Sequence, residues 1–256
     1  MILDQTEFKD KKIIVTGSST GIGFETGIEF LNLGAQVIFH GNQSIDTLED
    51  RILKRTESKN YKILKADFTK LSQVEEFMNE AINTLSGLDI LVNNAGTMVG
   101  RYQLDSITEK DFLNIFDLNA KSAYFAIKVA SEVFKKQNYG CIINVSTISA
   151  STGGSAGSSA YSASKSFISG ITRSLASELA PYNIRVNAIS PGTINTKFHE
   201  QYSSKEKLEN TRLKIPLKRL GEPEDCVGPI IFLSSNSMSG YITGQILEIN
   251  GGQFIS

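Results

Sequence analysis

The chain is poor in the residues that build disulfide frameworks and metal centres, with two cysteines and two histidines among 256 residues. Cys141 lies in an apolar strand pattern and Cys226 in a helical one. Two such isolated thiols make neither a disulfide framework nor a metal-ligand cluster, and both are expected to be reduced and structural. Charge of one sign is also lacking in excess: 26 basic against 27 acidic residues leave no electrostatic footprint for nucleic acid or an anionic membrane. No apolar run approaches the length of a membrane span. The opening residues, Met1 to Glu7, are polar and lack the apolar core of a secretory signal, so the cytoplasm is the expected compartment.

What is present is the composition of a soluble globular protein, with 40% hydrophobic and 21% charged residues. Short β-rich runs alternate with amphipathic segments, the pattern of repeated βαβ units around a parallel sheet. The runs are Lys12 to Thr16, Gln36 to His40, Tyr61 to Ala66, Leu88 to Val92, Cys141 to Val145, Ile184 to Ile189 and Gln245 to Ile249. Val74, Phe77, Met78, Ala81, Ile82 and Leu85 form one helical stripe, and longer helices are predicted over 109–137 and 159–180. Gly34 stops the first helix. No linker, repeat or charge block divides the chain. The expectation is one domain over 1–256, an α/β fold with a doubly wound parallel seven-stranded sheet and helices on both faces.

Three motifs carry chemistry. Tyr161-Ser162-Ala163-Ser164-Lys165 sets a phenol and an ammonium four residues apart, on one face of a helix. A cation there favours the phenolate and brings the phenol's pKa, ordinarily about 10, toward the working range. Thr16-Gly17-Ser18-Ser19-Thr20-Gly21-Ile22-Gly23 follows a strand and opens a helix, where glycine lets backbone approach a pyrophosphate and the helix N-terminus favours its charge. Asn93-Asn94-Ala95-Gly96 lies between them. In this order the motifs resemble those of the short-chain dehydrogenase/reductase family in its single-domain form, with a Rossmann-like fold, and the resemblance runs nearly end to end.

That resemblance implies a nicotinamide cofactor held by Gly17, Ser19, Thr20, Gly21, Ile22 and Gly23, by Asp67 and Phe68 near the adenine, and by Asn94, Ala95 and Gly96. Pro191-Gly192-Thr193-Ile194-Asn195-Thr196 matches the segment that contacts the carboxamide, through Ile194 backbone and Thr196 hydroxyl. The second strand ends His40-Gly41-Asn42-Gln43, with Gly41 where NAD-dependent relatives carry an acid. No carboxylate repels a 2′-phosphate there, and Ser18, Ser19, Asn42 and Gln43 offer hydrogen bonds, so NADP(H) is favoured over NAD(H). His40 is expected at the surface, at the strand's end.

It also implies four catalytic residues. Tyr161 is the acid-base group, Lys165 tunes it and holds the nicotinamide ribose, and Asn119 anchors a water in a proton relay. The fourth is a hydroxyl that polarises the carbonyl, and here the chain departs from the family. Alignment on Ile142-Ile143-Asn144-Val145 points to Thr147, fourteen residues before Tyr161 and one more than the family spacing. Thr147 is preferred because strand alternation turns Ser146 to the opposite face; Ser149 is the remaining alternative.

Residues 193–215 are expected to form a variable lid, with Phe198, His199 and Tyr202 as substrate contacts. The family's pocket chemistry divides between sugar or polyol dehydrogenases and 3-oxoacyl-[acyl-carrier-protein] reductases. Hydroxyls of Ser151, Thr152, Ser155, Ser158 and Ser159 favour a small polar carbonyl compound. Asn138 and Tyr182 stand where carrier-protein reductases carry basic residues, leaving Lys135 and Lys136 as nearby charges. Apolar residues of the helix after Tyr161, from Ala163 and Phe167 to Leu179, suggest a homo-oligomer, in the family commonly a tetramer. Two rivals stand beside this reading. One is a catalytically silent dinucleotide-sensing module. The other is a serine hydrolase, since Gly17-Ser18-Ser19-Thr20-Gly21 fits G-x-S-x-G with only His199 far enough downstream to serve as base.

Overall fold

The computed structural model describes residues 6–42 and 45–255. Gln43 and the opening residues Met1 to Gln5, both considered above, lie outside the described residues. Seven strands form one sheet: β1 (Lys12–Val15), β2 (Gln36–Gly41), β3 (Tyr61–Lys65), β4 (Ile90–Asn93), β5 (Gly140–Val145), β6 (Ile184–Pro191) and β7 (Ile246–Ile249). Every pairing is parallel and the order is β3-β2-β1-β4-β5-β6-β7. The helices are α1 (Gly21–Asn32), α2 (Leu48–Leu53), α3 (Leu71–Leu85), α4 (Glu109–Phe116), α5 (Ser122–Gln137), α6 (Ser149–Thr152), α7 (Ser159–Leu179), α8 (Lys197–Tyr202), α9 (Lys205–Lys214), α10 (Pro223–Ser234) and α11 (Asn236–Ser239).

Helices cover both faces, which is why β5 and β6 are buried along their whole length. Alternate residues serve opposite layers. Ile14, Leu91 and Ile142 pack with residues of α3, α5 and α7; Ile13, Ile90 and Cys141 pack with those of α1 and α10. Cys141 and Cys226 are buried and free, consistent with a structural role.

The chain winds outward in opposite directions from β1 and β4, which are neighbours. The loops leaving their C-terminal ends therefore diverge and open a crevice, the place where such sheets take ligands. The glycine turn follows β1 and Asn94 to Gly96 follow β4, so topology alone brings two of the three motifs together.

Several boundaries differ from the sequence expectation. The helix expected over 109–137 starts at a capping box, in which the Thr108 hydroxyl accepts from Asp111 N–H while the Asp111 carboxylate accepts from Thr108 N–H. It is then interrupted by one π-helical turn, Asp117–Lys121. The extra residue in that turn is not visible in the apolar periodicity, and it carries Asn119. β4 starts at Ile90 rather than Leu88, because the Asp89 carboxylate accepts the Lys12 N–H at 2.8 Å. The segment 193–215 contains α8 and α9.

Candidate active site

Gly17 and Gly21 both have positive φ, +62° and +60°. A Cβ on Gly17 would lie 2.7 Å from Ala95 Cα, so only glycine lets the turn close onto the loop after β4. Asn94 locks the two loops, its Nδ2 donating to Thr16 O at 3.0 Å and Gly17 O at 2.9 Å. The Thr20 side chain makes no cap hydrogen bond to α1, and the helix's first turn contains no acidic residue. An uncompensated helix N-terminus behind a glycine turn suits a pyrophosphate.

A cleft of about 690 Å³ runs from this turn to Tyr161. Gly17, Ser19, Thr20, Gly21, Ile22, Asn42, Asp67, Phe68, Asn94, Ala95 and Gly96 line it, together with Thr147, Tyr161, Lys165, Pro191, Gly192, Ile194 and Thr196. Gly23 is buried behind the turn.

Two residues expected near the adenosine end differ in position. Ser18 is fully buried, donating to Val15 O at 2.7 Å and accepting His40 N–H at 2.8 Å, so its hydroxyl points away from any phosphate. His40 is not a surface residue. It is 3% exposed, stacks on Phe68 at 3.9 Å between ring centroids, and bridges Gly17 N and Ala66 O. A histidine inside the apolar run Val37-Ile38-Phe39 of a buried parallel strand was the signal that it faces inward. Asp67 forms its own turn, accepting from Thr69 N and Oγ1 at 3.1 and 2.7 Å.

At the other end, Tyr161 and Lys165 lie one turn apart on α7, both buried. Lys165 Nζ donates to Val145 O at 2.8 Å. Burial pushes the ammonium down to about 8. The phenol moves opposite to the sequence expectation: burial raises its pKa, and no cation offsets this. Tyr161 is accordingly a protonated phenol at neutral pH, the form that can donate a proton.

Asn119 sits in the π turn with Nδ2 donating to Thr97 O and Ile115 O, each at 2.8 Å. Its Oδ1 is buried without a hydrogen-bond partner among the described residues. A Cβ on Gly96 would lie 2.5 Å from that oxygen and 3.1 Å from Lys165 Nζ, so both groups converge on one point of the cleft floor. The glycine cradle and this unpartnered acceptor next to a lysine fit a nicotinamide cofactor.

Ser146 and Thr147 both border the cleft, but their hydroxyls bond differently. Ser146 Oγ is buried against α7, bonded to Lys165 O at 3.2 Å and Ser169 Oγ at 3.0 Å. Thr147 lines the cleft next to Tyr161, and its Oγ1 accepts Ser149 N–H at 3.3 Å. The added residue is taken up by α6 and by Gly153, Gly154 and Gly157, all at φ between +74° and +78°.

Phe198 of α8 packs on Tyr161 at 5.7 Å between ring centroids, and Thr97 Oγ1 donates to Tyr202 Oη at 3.3 Å. His199 bonds Ser203 through Nδ1 at 3.2 Å, and burial with nearby Arg101 and Lys207 lowers its pKa to about 4. Ser158 is turned inward, bonded to Ser155 N and O, and the Thr152 hydroxyl donates to Ile148 O. Those two hydroxyls are committed to the loop's own shape. Arg101, which sequence reasoning passed over, ties the chain after β4 to the end of α8 by donating from Nε to Tyr202 O at 2.9 Å. It belongs to no motif, and only the fold brings it to Tyr202.

A family profile described as enoyl-(acyl carrier protein) reductase matches residues 17–253. The chain is 37% identical over 253 residues to L-rhamnose 1-dehydrogenase (NAD(P)(+)) of Azotobacter vinelandii, covering 96% of this chain and 98% of that one. It is 35% identical over 247 residues to a 3-oxoacyl-[acyl-carrier-protein] reductase of Thermotoga maritima, covering 96% and 98% respectively. Among solved structures, a short-chain type dehydrogenase/reductase from Mycobacterium marinum superposes with a TM-score of 0.91 at 30% identity, covering all of both chains. These matches set aside the hydrolase reading of the glycine turn. With the cradle, the Tyr-Lys helix and the sheet order all in place, the chain belongs to the short-chain dehydrogenase/reductase family of NAD(P)-dependent oxidoreductases.

Proposed function

We propose that this enzyme interconverts a small, polar, sugar- or polyol-like carbonyl compound and its secondary alcohol, with NADP(H) preferred over NAD(H). The observation that carries the catalytic part is the convergence of Asn119 Oδ1 and Lys165 Nζ on Gly96, with Tyr161 one turn before Lys165 on α7. A bound nicotinamide supplies or accepts the hydride. In the reducing direction Thr147 Oγ1 and Tyr161 Oη hydrogen-bond the carbonyl oxygen and polarise it. Tyr161, protonated at neutral pH, gives that oxygen its proton. Lys165, near its own pKa at neutral pH, supplies positive charge as the phenolate forms, and Asn119 Oδ1 holds the water through which Tyr161 is reprotonated. Phe198 covers the phenol and keeps bulk water off it.

The cofactor roles of the glycine turn, Asn42, Asp67, Phe68, the loop after β4 and the 191–196 segment follow the same reading. Gly41 lines the cleft without a carboxylate, which supports the 2′-phosphate. The polar substrate is supported by the mixed lining near Tyr161, which includes Ser149 and Ser155. Against the carrier-protein alternative stand Asn138 and Tyr182, at the positions where those reductases carry basic residues. The intact Tyr161-Lys165-Asn119 set speaks against a silent sensing module. We further infer a single domain with a lid over 193–215, a cytoplasmic location and a homo-oligomer. Among the described residues no helix is long and apolar enough to cross a membrane.

The test is to follow nicotinamide absorbance with keto-sugars and acetoacetyl-carrier protein side by side, using NADPH and NADH. Efficient use of keto-sugars is expected. Preferential, salt-sensitive reduction of the carrier-bound thioester contradicts the substrate part of the reading.

A further inference from the structure

A second cavity of about 220 Å³ adjoins Tyr161 and Thr147 and is lined in part by the loop 149–158 and by α9. Its wall contains Arg101, Lys207 and His199, and no aspartate or glutamate. The two cations converge on one hydroxyl: Arg101 Nη1 donates to Ser155 Oγ at 2.9 Å and Lys207 Nζ donates to the same oxygen at 3.1 Å.

Among the described residues neither cation has a carboxylate within ion-pair distance. Like charges held at one neutral oxygen repel, and an anion joining them would offset that repulsion. Lys207 and His199 both have lowered pKa values, in each case from burial first and from the neighbouring cations second. Donor capacity is in surplus too. Arg101 uses Nε on Tyr202 O and Nη1 on Ser155 Oγ and Ala156 O, which leaves its Nη2 hydrogens uncommitted among the described residues. A planar guanidinium held by three bonds at the edge of a substrate cavity, with a fork side spare, is built for an oxyanion.

We propose that the substrate carries an anionic group, a carboxylate or a phosphate ester, at the end remote from its reacting carbonyl, and that Arg101 and Lys207 bind that group across Ser155. This rests on Tyr161 being the reacting centre. It narrows the small polar, sugar- or polyol-like substrate to a hydroxylated oxo-acid or a sugar phosphate.

The direct test uses binding rather than turnover. The NADP(H)-saturated protein is titrated calorimetrically with gluconate, with sorbitol 6-phosphate and with sorbitol, which share a six-carbon polyol skeleton and differ in the anionic group. At least one anion is expected to bind about tenfold or more tightly than sorbitol, and less tightly as salt rises. Lys207→Met, at an exposed position, and Arg101→Gln should each reduce the anion's advantage about fivefold or more with NADP(H) affinity near the parent's; Lys207→Met should keep the parent's melt, while Arg101→Gln, which gives up bonds to Tyr202 O and Ala156 O, should melt lower. Which anion binds more tightly separates carboxylate from phosphate. Equal affinity for all three polyols, no detectable anion binding, or an anion preference that survives the double substitution overturns the proposal. If gluconate or the phosphate binds as expected while no carbonyl compound is reduced, the anion site at Arg101 and Lys207 stands and its assignment to the remote end of a reducible substrate fails with the reductase reading.

Discussion

The backbone N–H of Gly17 donates to Nδ1 of His40 at 2.9 Å, and Nε2 of the same ring meets Ala66 O at 3.1 Å. Because Nδ1 accepts, Nε2 must carry the proton, so the imidazole is neutral and its tautomer is fixed. One side chain thus ties the first residue of the glycine turn to the end of β3.

A pH dependence follows. Burial pushes His40 down to about 4, against the ordinary 6.5 of an exposed ring. Between those values the unfolded chain binds the extra proton and the folded chain does not. Stability is therefore complete above about pH 6.5 and falls as pH drops toward 4, by roughly 3 kcal/mol for this group. His199 adds a slope of the same sign. Melts followed by circular dichroism between pH 7.5 and 5 should show Tm falling with pH, and His40→Gln should lower Tm at pH 7.5 while flattening that slope. An unchanged slope in His40→Gln would remove His40 from the account.

For the carbonyl-polarising hydroxyl, Thr147→Val should cost roughly 2–4 kcal/mol of transition-state stabilisation. Ser146→Ala loses bonds to Lys165 O and Ser169 Oγ, so it should lower stability by about 1 kcal/mol with a small effect on kcat. Steady-state kinetics and melts of both variants decide. The reverse pattern transfers the role to Ser146.

Cofactor choice is tested at Gly41. A Cβ there would lie 2.7 Å from Ile45 Cγ2 and 3.0 Å from Ser19 Cβ, so substitution crowds the site as well as adding charge. Gly41→Ala measures the crowding alone. Fluorescence titration should give tighter NADPH than NADH binding in the parent, and Gly41→Asp should weaken NADPH well beyond the loss seen in Gly41→Ala. Tighter NADH binding by the parent contradicts the preference.

Assembly is read from α7. Ile168, Ile171 and Leu179 are buried in the core, which removes them from any interface, while Phe167 stays 39% exposed against Tyr124 at 40%. Light scattering at micromolar concentration should give an oligomer, and Phe167→Asp should shift it toward smaller species. A monomeric parent overturns the inference.

The sheet and the motifs were legible because each rests on local pattern: apolar runs broken by glycine, and a Tyr-Lys pair at helical spacing. What was not legible depends on side-chain direction set by the whole fold. The π turn under Asn119 leaves apolar periodicity nearly intact, and the inward turn of Ser18 and His40 depends on β3 and α3 packing over β2. The loop hydroxyls of Thr152 and Ser158 looked free in sequence and are bonded within their own loop. The raised phenol pKa is a burial effect, and charge spacing alone indicated the opposite sign.

The central claim is that Tyr161 donates the proton to the substrate oxygen. It is tested most directly by kcat and cofactor Kd of Tyr161→Phe, measured with the best carbonyl substrate of the parent enzyme. General acid catalysis of this kind contributes about 10²–10⁴-fold, so kcat should fall by at least about 10²-fold while cofactor Kd stays within about threefold. A Tyr161→Phe enzyme that keeps a large fraction of the parent kcat would contradict the account.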